Sequence, residues 1–506
     1  MLSPFYAWLV RFVWFKPDLF YTVNLVSMSP QVQKPTIILA TSNGVGMGHL
    51  VRASAIALEL KEIANPIIVS MAGGIAEVPN FVGVRCEYIP GRDRGWMPRK
   101  LWDAYLRDRL LALIEETDAQ VLSFDGVVPY PGVIAAKLKK NDLALVWVRR
   151  GLWQKKPQGL ALGLQSMMMD AIIEPGDFAR VYDHGPTSGR KDAILTSAVS
   201  LYKESTAVSR DEARIRLGID LDRPAVLVQL GTGESDVNEK MTAALSGLIG
   251  WKDLQVVLTK KPVDAKGNSL VPDGLEIKQV RYFPLAEVLH AFDAAICATG
   301  YNGFHELLPA RIPTVFVSNI RGTDDQESRA QWSHDLGYAL RADQADLANI
   351  TETVKLLQDP EERARLHRMC MKLPEANGAK EAAQILYEMA TVKHGAQPSF
   401  IARARLRTRN IGLSSFRQFA NVIYRQLALI YRKINPHIIV QVTQLSAPHF
   451  GDETETQTMR QLINGEVRYE HLITGASDSY RLRRNEIASV AYGTMRTVVN
   501  TRKETP

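Results

Sequence analysis

From Thr36 onward, short Val/Ile/Leu-rich runs alternate with stretches of helical period. That alternation predicts parallel strands covered on both faces by helices, because a strand buried on both sides reads as a continuous apolar run. The strands fall at 36–41, 66–70, 84–89, 121–125, 143–148 and 171–174, with helices such as 50–63 and 100–116 between them. A polar stretch at 184–191, a short helix at 211–217 and a turn at 220–224 follow, and then the pattern restarts. Strands at 225–230, 254–258, 276–280, 294–298 and 314–317 alternate with helices, the last near 379–389. The predicted class is α/β, with two doubly wound Rossmann-like domains facing a cleft and a mixed, partly helical C-terminal extension. The boundaries read as a leader at 1–35, a first domain at 36–185, an interdomain linker at 186–222, a second domain at 223–394 and an extension at 395–506. Open sheets of this kind bind ligands beyond the carboxyl ends of their strands, so the residues just after each strand are the candidates.

The first such loop is Ser42-Asn43-Gly44-Val45-Gly46-Met47-Gly48-His49, running into a helix near Leu50. Its glycines let backbone approach a ligand closely, and a helix start offers unpaired N–H groups to an anion. It is not a Walker loop, since no Lys-Ser/Thr follows. His49 stands at the helix entrance, where the positive end of the dipole disfavours protonation, so it is the candidate general base. Gly46, Gly48 and Arg52 are candidates for the acceptor side. Asp125 ends one strand and Arg149 and Arg150 end another, and all three are further acceptor-side candidates; the arginines read as a bidentate clamp for a phosphate or carboxylate, or else as surface pairs, and Asp125 alternatively as a loop cap. Glu174-Pro175-Gly176-Asp177 reads as a turn.

In the second half, Leu230-Gly231-Thr232-Gly233 precedes a helix and is a candidate phosphate loop. Further on come Arg281-Tyr282-Phe283-Pro284, then Thr299-Gly300-Tyr301-Asn302-Gly303-Phe304-His305-Glu306, then Asp324-Asp325-Gln326 and Arg329. A carboxylate just inside a helix that follows a strand can accept two ribose hydroxyls, which is the role predicted for Glu306.

With these motifs in view, the segment 225–389 resembles the nucleotide-binding domain of inverting GT-B glycosyltransferases of family 28. That family includes the peptidoglycan N-acetylglucosaminyltransferase acting on a lipid-linked muramyl peptide. The resemblance covers roughly 36–390 and is stronger in the second half. It implies a UDP-sugar cosubstrate, with Glu306 on the ribose and Gln326 on the donor sugar. It further implies Gly231, Thr232 and Gly233 at the diphosphate, Tyr282 and Phe283 near the uracil, and Thr299, Gly300 and Asp325 completing the donor site. Two departures stand out: Arg329 replaces the family's usual Asn, so it could meet a charged donor sugar or phosphate, and Thr299-Gly300-Tyr301 stands where some members have His-Gly-Gly. The implied reaction is metal-independent transfer to a hydroxyl acceptor, lipid-linked or belonging to a cell-envelope glycan, with His49 as base and no cofactor beyond the UDP-sugar. The run Gly46-Met47-Gly48-His49-Leu50-Val51-Arg52 also resembles the loop of a sugar-nucleotide hydrolase, so hydrolysis, epimerisation and non-catalytic binding are the competing readings.

Composition adds localisation and partners. Across the 506 residues, 46% are hydrophobic and 23% charged, which fits a globular protein, and no run of about 20 apolar residues reads as a membrane span. Cys86, Cys297 and Cys370 lie far apart without zinc spacing, which fits a reducing cytoplasm. From Gly395 to Pro506, Lys and Arg exceed Asp and Glu by eight, while the whole chain carries +7. A basic tail on a near-neutral body points to an anionic surface. The stretch 416–434 places Arg417, Arg425, Arg432 and Lys433 among apolar residues at helical spacing, the pattern of a helix lying on the inner face of a membrane or packed on the body. No nucleic-acid-binding fold accompanies it. The first 27 residues, rich in aromatics, read either as an interfacial helix or as a leader ahead of Met28.

Overall fold

Two all-parallel sheets carry the chain. The first comprises β1 (Thr36–Thr41), β2 (Asn65–Ser70), β3 (Arg85–Tyr88), β4 (Val121–Asp125), β5 (Ala144–Val148), β6 (Ala171–Gly176) and β7 (Ile194–Ala198), in the spatial order 3-2-1-4-5-6-7. The second comprises β8 (Ala225–Gln229), β9 (Gln255–Leu258), β10 (Glu276–Gln279), β11 (Ala294–Ala298), β12 (Thr314–Val317) and β13 (Leu340–Ala342), in the order 10-9-8-11-12-13. The structure is a computed structural model. It describes residues 34–391 except 43–46, 73–74, 76–77, 92–98, 141, 156–161, 163–164, 232–236 and 260–268, and also two strands near the C-terminus. Both sheets belong to one unit, Pro35–Pro506.

The sequence dictates this arrangement through burial on both faces. In β4 and β5 every residue is buried, and alternate side chains feed separate apolar clusters on the two sides of the first sheet. The connections are helical: α1 (Gly48–Leu60), α2 (Val78–Val82), α3 (Arg99–Thr117) and α4 (Pro131–Lys139) in the first half. Then come α5 (Arg210–Leu217), α6 (Val237–Ser246), α7 (Tyr301–Leu307), α8 (Gln326–Asp335), α9 (Leu347–Lys355), α10 (Pro360–Cys370) and α11 (Gly378–Thr391). Their limits follow local chemistry. Ser209 accepts from the Glu212 N–H at 3.3 Å to start α5, and Gly218, at φ +62°, ends it in a left-handed conformation open to glycine. In both sheets the strand order reverses once, between β1 and β4 and between β8 and β11. These switch points open crevices at the carboxyl ends of the strands, and the two halves form the GT-B arrangement.

Two elements depart from the predicted boundaries. The span 186–222, read as a linker, contains β7, which extends the first sheet beside β6. The apolar pattern does not mark it, because it is an edge strand, half exposed and partly polar, with a register shift at Glu174/Gly176 around Pro175, whose ring removes a ladder donor. The last helix, α11, was assigned to the second domain, yet it packs against α1 and β7 of the first. Glu381 of α11 accepts from the Ser197 N–H and hydroxyl at 2.8 and 2.6 Å, and a Cβ on Gly378 would sit 2.0 Å from the Ser197 carbonyl oxygen. A helical period tells which face is apolar, not which sheet it covers.

Toward the C-terminus, Glu486–Ala491 and Met495–Asn500 pair antiparallel as β14 and β15. The predicted helix at 416–434 and the aromatic N-terminus lie outside the described residues. Among the described residues, no helix is long and apolar enough to cross a membrane.

Candidate active site

At the first switch point, β1 leads toward His49 in the opening turn of α1, and β4 ends on Asp125. The two meet: His49 Nδ1 lies 2.7 Å from Asp125 Oδ1. Arg52, one helical turn beyond His49, donates from Nε to Asp125 Oδ2 at 2.9 Å and from Nη2 to Oδ1 at 2.7 Å, a bidentate buried pair. Arg52 Nη2 also stands 2.9 Å from His49 Nδ1. A guanidinium has no acceptor, so that contact would need a lone pair on Nδ1, which would then face the carboxylate oxygen at 2.7 Å with no proton between them. The favourable tautomer carries the proton on Nδ1, donated to Asp125, and leaves Nε2 as the basic nitrogen. Burial lowers the His49 pKa and outweighs the opposing pull of Asp125, so the ring is neutral at pH 7. Burial alone would raise the Asp125 pKa, but Arg52 and His49 overcome it and hold the carboxyl below the usual range. A side-chain exposure of 16% keeps the imidazole reachable.

Across the cleft, α7 and α8 complete a charged lattice. Arg329, fully buried, donates from Nε to Asp177 at 2.7 Å, and from Nη1 to Asp324 at 2.6 Å and to the Thr299 carbonyl at 3.3 Å. Its Nη2 has no hydrogen-bond partner among the described residues. Asp324, which burial would raise, is brought down to about 2 by Arg150 and Arg329. Arg150 approaches Asp324 at 3.4 Å. Tyr301 donates its hydroxyl to the Gly176 carbonyl at 2.7 Å and accepts from the Val199 N–H at 3.0 Å, while the Arg52 guanidinium lies 5.0 Å from its ring centroid. Asn302 donates to the Gly48 carbonyl at 3.1 Å. His305 accepts from the Phe178 N–H at 3.2 Å, and burial lowers its pKa to about 4, so it stays a neutral strut.

The donor-side candidates divide. Gly231, at φ +89°, follows β8, and Asn319 donates from Nδ2 to the neighbouring Leu230 carbonyl at 2.9 Å. Gln326 accepts from the Asn319 N–H at 3.0 Å and donates to Asp324 at 3.3 Å, so both ends of its amide are already engaged. Asp325 caps α8, accepting from the Ser328 N–H and hydroxyl at 3.1 and 2.7 Å. Gly300 caps α7. Tyr282 reaches Glu287 at 3.4 Å, and Phe283 packs edge-on against Phe81 of α2 with ring centroids 5.7 Å apart. Glu306 is half-buried with no side-chain hydrogen-bond or ion-pair partner among the described residues, and burial pushes its pKa up to about 8. Gly46, Thr232 and Gly233 lie outside the described residues.

Residues 225–386 match the family described as the glycosyltransferase family 28 C-terminal domain. The segment 225–386 is therefore similar to the C-terminal domain of family 28 glycosyltransferases. Over 388 residues the chain is 24% identical to the UDP-N-acetylglucosamine–N-acetylmuramyl-(pentapeptide) pyrophosphoryl-undecaprenol N-acetylglucosamine transferase of Rhodococcus jostii, spanning 72% of this chain and 98% of that protein. The protein of the same name from Paenarthrobacter aurescens is 32% identical over 191 residues, 36% of this chain and 50% of that one. Among solved structures, Acinetobacter baumannii MurG is similar with a TM-score of 0.46 and 17% identity, covering 70% of this chain and 100% of that one.

Several residues differ from their predicted parts. Arg149 and Arg150 do not form a clamp: consecutive residues at a strand end point opposite ways, and Arg149 is sealed between Glu174 at 3.2 Å and Asp192 at 2.9 Å. Arg329, expected to face a donor, is instead neutralised by two carboxylates of the chain itself. Asp125, placed on the acceptor side, orients His49. Asp177, Asn319 and Tyr301 were missed. The usable signal was position after a strand: Asp177 follows β6, Asn319 lies two residues after β12, and Tyr301 opens the helix after β11.

Proposed function

We propose that the chain is an inverting, metal-independent glycosyltransferase that moves a sugar, of the N-acetylhexosamine class, from UDP to a hydroxyl of a lipid-linked or cell-envelope acceptor. The observation that carries the reading is the His49–Asp125 hydrogen bond at the first switch point, joined to the family 28 domain through Asn302 and Gly48. Asp125 holds Nδ1, and Nε2 takes the proton of the acceptor hydroxyl. The acceptor oxygen attacks the anomeric carbon from the face opposite the diphosphate. The bond from that carbon to the diphosphate oxygen breaks, its electron pair leaves with UDP, and the configuration inverts. Loop N–H groups around Gly231 stabilise the leaving diphosphate in place of a cation. Glu306 accepts the ribose hydroxyls. Arg150, with its single carboxylate contact at 3.4 Å, is the cation left to meet a phosphate or carboxylate of the acceptor.

The names of the relatives support a UDP-N-acetylglucosamine donor and a lipid-linked acceptor, and the basic segment 395–506 supports work at the inner face of the membrane. The test is UDP release from a panel of UDP-sugars, with and without polyprenyl-diphosphate-linked sugar acceptors. Release that depends on acceptor, and is lost in His49→Ala, supports transfer. Release at the same rate in water alone would replace it with hydrolysis.

A further inference from the structure

At the amino-terminal edge of the second sheet lies a concavity that the transfer reaction does not use. Phe292 and Asp293 immediately precede β11, whereas Thr299 and Gly300 follow it. The length of that strand puts about 16 Å between the two ends. The cavity, of about 430 Å³, is walled by the cations Arg210, Arg311 and Arg363 around Asp293, over an apolar floor that includes Phe292 and Ile312. A volume of that order accommodates a small organic ligand.

The charges in the wall do not cancel. Asp293 is engaged by Arg210 at 2.8 Å and by the buried Arg214 at 2.9 Å, and it also accepts from the Ala225 N–H at 2.8 Å. Arg363 has no ion pair among the described residues. Its Nη1 donates to the Leu357 and Gln358 carbonyls at 2.6 and 2.9 Å, and its guanidinium lies 4.7 Å from the centroid of Trp251. Among the described residues, the Arg311 guanidinium has one carboxylate contact, the exposed Glu204 at 4.0 Å. Neither Arg311 nor Arg363 has a carboxylate within hydrogen-bonding distance among the described residues, although Glu204 stands 4.0 Å from Arg311 and Asp293 and Asp359 attract Arg363 through space. The walls are also held in place. Arg311 sits at φ +59°, a conformation uncommon for a residue with a Cβ, and its carbonyl lies 3.0 Å from His367 Nδ1, while His290 Nε2 is 2.9 Å from the Tyr202 hydroxyl.

We propose that this cavity binds a phosphomonoester, with the phosphate between Arg311 and Arg363 and the organic body on Phe292 and Ile312, independently of the UDP-sugar. Planar guanidinium forks suit a phosphate held by parallel N–H···O bonds, and the apolar floor suits an esterified over a bare ion. The phosphomonoester belongs either to a soluble metabolite or to the headgroup of a lipid such as phosphatidate.

The full-length protein is titrated calorimetrically with phenyl phosphate in the presence of saturating UDP. In parallel it is sedimented with phosphatidylcholine vesicles with and without phosphatidate. Arg363→Gln and Arg311→Gln are compared with wild type in both. Arg363 also ties carbonyls at a helix end, so Arg311→Gln, at the half-exposed rim, keeps the test decisive if the other variant folds poorly. The expected result is saturable binding in at least one arm, weakened at least about tenfold by Arg311→Gln and undisplaced by UDP. Phenyl phosphate binding identifies a soluble ligand and vesicle binding alone a headgroup; the basic C-terminal segment is the same in wild type and variant, so only the difference between them counts. Absence of saturable binding in both arms, displacement by UDP, or equal binding by Arg311→Gln overturns the proposal.

Discussion

Nucleotide binding should release a proton, and Glu306 sets how much. Burial pushes the pKa of this carboxyl up to about 8, and among the described residues no hydrogen-bond or ion-pair partner offsets the cost. In the free protein at pH 7, about nine-tenths of Glu306 is therefore protonated, falling to about half at pH 8 and one-tenth at pH 9. Ribose hydroxyls donate to the ionised form, and two such bonds bring the pKa back toward its ordinary value. Binding UDP at pH 7 then releases about 0.9 proton, and at pH 9 about 0.1. Because only the ionised fraction is competent, the apparent dissociation constant should tighten about tenfold between pH 7 and pH 9. The same raised pKa means that folding binds a proton here: its contribution to stability is full below the unfolded carboxyl pKa and is lost as pH rises through about 8. Calorimetric titration with UDP in HEPES and Tris, buffers of different ionisation enthalpy, reads the proton count directly. Glu306→Gln should abolish both the proton release and the pH dependence of the affinity. Equal heats in the two buffers at pH 7, or a Glu306→Gln variant that keeps the wild-type pH profile, would show that Glu306 does not hold the ribose.

His49→Ala should lower kcat by about 10²- to 10⁴-fold while leaving UDP affinity within about twofold, as measured by coupled UDP release and calorimetry. Asp125→Asn leaves the Arg52 guanidinium buried without its carboxylate and should cost about 3 kcal/mol in chemical denaturation, with kcat reduced because the His49 tautomer is no longer fixed. The acid limb of kcat/KM should fall below the ordinary histidine value near 6.5, since burial lowers the His49 pKa and the base is lost only when pH drops through that lowered value; a limb above it speaks against His49 as the base. Arg329→Met strands Asp177 and Asp324 without their shared cation, and should lower thermal stability more than Arg150→Met, which breaks one longer contact.

Most of the strand framework was legible because strands buried on both faces leave long apolar runs, and these survive in β1, β4, β5, β8, β11 and β12 with boundaries within a residue of those seen. Where the signal failed, the physics differed. β7 is half exposed, and β13 is three residues long with Arg341 at its centre. The candidate site was legible one residue at a time and not in pairs. His49 and Asp125 were both singled out, yet a sequence separation of 76 hides that one orients the other; only the β1–β4 pairing reveals it. Arg329 looked free because its partner Asp177 stood in a stretch that reads as a turn, 152 residues upstream. Sequence locates chemistry on an element, whereas ion-pair partners depend on which elements become neighbours.

Among the described residues the cleft gathers Arg52, Arg150 and Arg329 against Asp125, Asp177 and Asp324, so the lattice is balanced before any ligand arrives. This lattice therefore offers no net positive field to draw an anion in. The same balance makes the pairs unequal in consequence. Arg52 and Arg329 hold their carboxylates at 2.6 to 2.7 Å, and Arg329 joins the two halves by gripping Asp177 of the first from α8 of the second. Arg150 sits at 3.4 Å from an Asp324 that already has Arg329, so it can exchange a carboxylate for a phosphate without stranding either acid. Arg329 also keeps one unsatisfied Nη2 beside the same aspartate. An anion entering the cleft would thus be met by Arg150 at the margin of a lattice whose other pairs stay intact, with His49 and its neutral ring already aligned.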